Sequence, residues 1–77
     1  MQKIKLLWDF RGPSAKKIAN HHLKHLKDFF KVEDKKLIES GIKKENEFHY
    51  VSFVVILHKD VDSIKLNLKP NRGQKVK

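Results

Sequence analysis

The stretch Phe48-His49-Tyr50-Val51-Ser52-Phe53-Val54-Val55-Ile56-Leu57-His58 decides the fold. β-Branched and aromatic residues run through it without a glycine or proline, which is the composition of a strand. Its odd positions supply Val51, Phe53, Val55 and Leu57, and its even positions Phe48, Tyr50, Val54 and Ile56. Side chains alternate across a strand, so both of its faces are apolar. Such a strand belongs in the centre of a sheet, covered on both sides.

Upstream of it, residues 33–47 hold only Leu37, Ile38 and Ile42 as apolar anchors, and Gly41 interrupts any long helix. They read as a short strand over 37–43 and a turn at Lys44-Glu45-Asn46, with a helical turn over 34–40 as the competing reading. From Pro13 to Val32 the apolar period becomes helical. Ala15, Ile18, Ala19, His22, Leu23, Leu26, Phe29 and Phe30 form one stripe, and lysines fill the opposite side. At the start of the chain, Ile4, Leu6, Trp8 and Phe10 alternate with Lys3, Lys5, Leu7 and Asp9, the pattern of a strand. Gly12-Pro13 then turns the chain into the helix.

Downstream, residues 60–68 fit two periods. Asp60 and Asp62 at the start, with Lys69-Pro70 at the end, match helix termini and favour a helix. The resulting order, β-α-β-β-α with the last strand missing or short, predicts an α+β, ferredoxin-like two-layer sandwich. Residues 1–69 read as one compact domain and 70–77 as a basic, irregular and flexible tail.

The chain of 77 residues has 18 basic against 9 acidic residues, a formal net charge of +9. The excess sits in two acid-free stretches, 10–27 and 63–77, each carrying five basic residues. A surface of this kind suits an anionic partner as well as mere solubility. Lysine dominates over arginine, which favours loose phosphate contact over base reading. The absence of cysteine removes disulfides and thiolate metal sites and fits a reducing, cytoplasmic setting. No stretch has the ~18 to 20 apolar residues of a membrane span, and no membrane association is expected.

No nucleophile elbow, phosphate loop or paired-carboxylate pattern is present, so no catalytic residue is assigned and no cofactor is expected. Four binding constellations stand out. The strand-to-helix junction brings Arg11, Gly12, Ser14, Lys16 and Lys17 to a helix N-terminus, an arrangement suited to a small anion, with Asp9 beside Arg11 as a neutralising neighbour. Lys24 and Lys27 on the helix, with Lys69, Arg72 and Lys75 in the tail, form a candidate nucleic-acid surface. Phe48, Tyr50, Val54 and Ile56 would line the open sheet face and ask for a homodimer or a protein partner. His21 and His25, one helical turn apart, have the spacing of a metal-binding pair, with His49 as a third ligand; His22 beside them reads as a packed histidine. A non-catalytic binding module that self-associates through the sheet is the leading reading, with nucleic-acid binding and small-anion or metal binding as alternatives.

Overall fold

The computed structural model describes residues 2–76, so Met1 and the tail residue Lys77 lie outside the described residues. Strand β1 (Lys3–Arg11) leads into helix α1 (Ala15–Val32), followed by β2 (Leu37–Asn46), β3 (His49–Leu57), a 3-10 turn (His58–Asp60), α2 (Val61–Leu68) and β4 (Arg72–Val76). The four strands form one sheet in the order β2-β3-β1-β4, with every neighbouring pair antiparallel. The domain is therefore α+β, with two helices and a four-stranded antiparallel sheet.

Both helices pack on one face of the sheet. Ile4, Leu6 and Trp8 of β1 and Val54 and Ile56 of β3 form a single buried cluster with Leu26, Phe30 and Ile64 from the helices. Tyr50 is buried against Ala15 and Ala19. The reason lies in the pairing of β1 with β3. Ile4 stands opposite Ile56, Leu6 opposite Val54 and Phe10 opposite Tyr50, so the even residues of both strands share a face. Odd β1 positions are rich in lysine, so only the even face of this pair can receive the apolar stripes of the helices.

This corrects the expected sheet interface. Tyr50, Val54 and Ile56 lie beneath the helices and are not available to a partner. Phe48 is not in the strand at all; it occupies the β2–β3 turn and is 57% exposed. The turn itself shifts from the expected Lys44-Glu45-Asn46 to Glu47-Phe48, because β2 continues to Asn46. There the Asn46 side chain accepts a hydrogen bond from the Phe48 N–H at 2.8 Å, the local capture that makes asparagine a turn residue. The competing helical turn over 34–40 is absent: α1 ends at Val32, Asp34 takes a left-handed conformation and β2 begins at Leu37.

Residues 61–68 are helical, as their ends suggest, and Leu66, off the buried stripe, is 78% exposed. The Trp8 indole N–H donates to the Leu68 carbonyl at 2.8 Å and so fixes the end of α2 on the sheet. Lys69 adopts a left-handed conformation and Pro70 follows. The segment read as an irregular tail is instead largely strand. Arg72–Val76 pairs with the edge of β1, from Leu7 opposite Arg72 to Lys3 opposite Val76. Its polar sequence hides this, since an exposed five-residue edge strand has little apolar pattern to show. Among the described residues, no helix is long and apolar enough to cross a membrane.

Candidate functional site

The face of the sheet without helices carries the odd residues of β1 and β3. Here Leu7, Val51, Val55 and Leu57 are buried although no helix covers them. Part of the cover is visible in the side chains around them. The Phe53 ring lies against Gly41 on β2, so closely that a Cβ at Gly41 would meet it at 2.9 Å. The Lys5 ammonium sits 4.3 Å from the centre of that ring, within the range of a cation–π contact. Phe53 and Lys5 thus layer side chains of the chain itself over part of this face.

At one end of this face three strands contribute a polar cluster. Asp9 on β1 lies diagonal to His49 on β3, whose register partner is Arg11, and to Arg72 on β4, whose partner is Leu7. The Asp9 carboxylate accepts from His49 Nε2 at 2.8 Å and from two Arg72 nitrogens, Nη2 at 2.9 Å and Nε at 3.1 Å. The last two make the parallel, two-pronged contact that gives guanidinium–carboxylate pairs their directionality. Asn71 strengthens the corner by accepting from the Asp9 backbone N–H at 2.9 Å, while its own N–H donates to the Leu7 carbonyl. The side chains of Asp9 and His49 retain only 17% and 15% exposure, whereas that of Arg72 retains 47%. Burial works to raise the Asp9 carboxyl, but the hydrogen bonds and charges of His49 and Arg72 outweigh it and hold the group below its ordinary value. Asp9 is thereby kept ionised, and His49 donates to it from Nε2.

The sequence conceals this cluster because 40 residues separate Asp9 from His49 and 63 separate it from Arg72. One signal was present. Asp9 is the lone acid on a strand face otherwise made of Lys3, Lys5, Leu7 and Arg11, and a half-buried acid in a sheet requires a partner.

The other constellations fare differently. The anion site is not assembled as expected: the Gly12 N–H already donates to the Phe48 carbonyl at 2.8 Å, and the Ser14 side chain forms no cap. Lys16 and Lys17 are exposed on α1, while Arg11 shares the uncovered sheet face with His49, and Asp9 pairs with Arg72 in place of Arg11. The candidate nucleic-acid set is split. Lys24 and Lys27 lie exposed on α1, which packs over β1, β2 and β3 from the helix side. Arg72 turns to the opposite face, Lys69 caps the end of α2, and Lys75 lies on the edge strand β4.

His21 and His25 are brought together, Nε2 to Nε2 at 2.9 Å, on the exposed surface of α1. His49 does not join them, being held by Asp9 on the other side of the sheet. Among the described residues, no group of three or more histidine, cysteine or acidic side chains could hold a metal ion. His22 is a packed histidine: its Nδ1 lies 2.9 Å from the buried Ser52 hydroxyl, and its ring stands 5.2 Å from that of Trp8 and 5.1 Å from that of Phe10. Burial lowers its affinity for a proton, and the charge of His25 lowers it further.

Comparison of the chain with protein-family models, with curated proteins and with solved structures finds no match.

Proposed function

We propose that the domain is a non-catalytic binding module of ferredoxin-like architecture that holds a nucleic-acid strand on its uncovered sheet face. The strand order β2-β3-β1-β4 and the placement of both helices on one side support the architecture. One observation carries the functional reading. Lys3, Lys5, Lys43, Arg11 and Arg72 project from this face by register against two acids, Asp9, which is already occupied by Arg72 and His49, and Glu39 opposite Val55, while Lys43 is paired with Glu45. Among the described residues, Lys3, Lys5 and Arg11 have no acidic partner within ion-pair distance. Free cations on a shallow face suit a phosphate backbone, and the partly exposed ring of Phe53 offers a surface for a base.

The test is binding of a fluorescein-labelled oligouridine, followed by anisotropy over a range of salt concentrations. Affinity should fall with salt, and Lys5→Ala and Arg11→Ala should each flatten the log–log slope by about 0.7, the value for one lost phosphate contact on a single strand. The double variant Lys24→Gln/Lys27→Gln on α1 should bind as the parent does. A loss confined to that α1 variant would assign the contact to the helix and overturn the sheet-face reading.

Self-association is the second reading, and the β4 edge favours it. β2 at the other edge is interrupted by two register shifts, whereas β4 pairs continuously and leaves its outer backbone open to another strand. Sedimentation equilibrium separates the two: a monomer that binds the oligonucleotide excludes edge pairing as the principal role.

A further inference from the structure

The His21–His25 pair has a geometry that neither packing nor the sheet-face reading uses. Both side chains are exposed, and each has the other as its hydrogen-bond partner, with ring centres 4.5 Å apart and planes nearly perpendicular. Two imidazoles one helical turn apart can direct their Nε2 atoms at one ion. Their 2.9 Å separation is that of an ordinary hydrogen bond, so the two nitrogens already stand within reach of one ion without selecting its geometry. Imidazole nitrogen binds copper(II) ahead of the other divalent first-row ions. We infer that His21 and His25 form a two-nitrogen surface site for a divalent transition ion, copper(II) foremost.

Loading the site requires a local change only. In the neutral pair one Nε2 carries the proton that bridges to the other; that ring adopts the alternative tautomer, with its proton on Nδ1, and both Nε2 lone pairs turn to the ion. Water fills the remaining positions, since no third side chain of the described residues is placed to do so. The site is therefore labile and open to an outside ligand. Lys17 and Lys24, one turn to either side of His21, repel a cation, so added salt should strengthen copper binding. That sign is opposite to the one expected for nucleic acid and keeps the two activities distinguishable.

The experiment is a titration of the full chain with copper(II) chloride against glycine as a competing chelator, read by calorimetry and electron paramagnetic resonance. One equivalent should bind with a tetragonal, nitrogen-split spectrum. His21→Gln and His25→Gln should each weaken binding by about 100-fold, the loss of one arm of a linked pair. His49→Gln and His58→Gln should leave it unchanged. Both α1 positions are exposed, so the variants should keep the parent's circular dichroism, which is measured alongside. Zinc should bind more weakly than copper(II). Unchanged copper affinity in the His21→Gln/His25→Gln double variant would overturn the site, and zinc binding ahead of copper(II) would overturn the choice of ion.

Discussion

The two faces of this sheet solve the same problem by different means. On the helix side, Val54 is fully buried in a cluster with Leu26, Phe30 and Ile64. On the other side, Val51 is just as fully buried, yet its register partners are Asp9 and Lys43 and no helix lies above it. Equal exposure therefore does not mean equal surroundings. Interdigitated apolar side chains leave a cavity when one is trimmed, because their neighbours are fixed by packing. Long polar side chains over an apolar row keep their rotamer freedom and can settle into the vacated space. The apolar face that would have called for a dimer is thus partly answered from within the chain.

A matched pair of substitutions puts the difference to the strongest test. Val54→Ala should destabilise the domain by about 2–3 kcal/mol, combining lost burial with a residual cavity. Val51→Ala should cost about 1–1.5 kcal/mol, close to the transfer term alone. Urea denaturation of both variants measures the gap. Equal losses would mean that the uncovered face is as rigidly packed as the helix side.

Gly41→Ala addresses the cover itself. Its new methyl would stand 2.9 Å from the Phe53 ring, so the ring must move off the position it holds. Destabilisation of about 1 kcal/mol is expected, at the low end for overpacking because the ring is only partly buried. Adding Phe53→Leu should recover much of that loss, and a double variant no better than the single would place the strain in the backbone instead.

A smaller effect, present at neutral pH and lost in acid, should come from the polar corner. Because Asp9 holds its proton less tightly when folded, its contribution is complete above the unfolded carboxylate value of about 3.9 and is lost as pH falls through the lower, folded value. Asp9→Asn should be less stable than the parent at neutral pH and should show a shallower decline as pH falls below the unfolded carboxylate value. Acid titration of the unfolding free energy, followed by tryptophan fluorescence, reads both.

How much of this could be read in the sequence follows from the range of the forces involved. The α1 stripe, the alternation of β1 and the two-sided character of β3 are local patterns, and each produced the expected element. What periodicity lacks is register. Whether even or odd residues of β3 meet the helices depends on how β1 and β3 align, and these strands are not joined by a turn. With that parity unknown, Tyr50, Val54 and Ile56 were assigned to the wrong face. The cluster of Asp9, His49 and Arg72 was hidden for the same reason, since it exists only once three strands are aligned. β4 was missed for another: its five residues contain one apolar side chain, and its pairing is decided by the free edge of β1.

The smallest net effect is the most specific, because it comes from two substitutions expected to cancel at one polar contact within the apolar layer. His22 sits between Trp8 and Phe10, with its Nδ1 against Ser52, the one buried polar residue among those described. Burial first, and the neighbouring charge of His25 second, favour its neutral form. For such a group, stability is complete above the unfolded value of about 6.5 and is lost as pH falls through the depressed folded value. His22→Phe should remove this dependence, measured in chelator-treated buffer, but it leaves the Ser52 hydroxyl without its partner at a cost of about 1–3 kcal/mol. Ser52→Ala added to His22→Phe removes both polar groups together and should return stability at pH 7 to near that of the parent, because paired polar groups replaced by apolar ones leave nothing unsatisfied. If the double variant stays as unstable as His22→Phe alone, the histidine is held by its shape between the two aromatic rings and not by its bond to the serine.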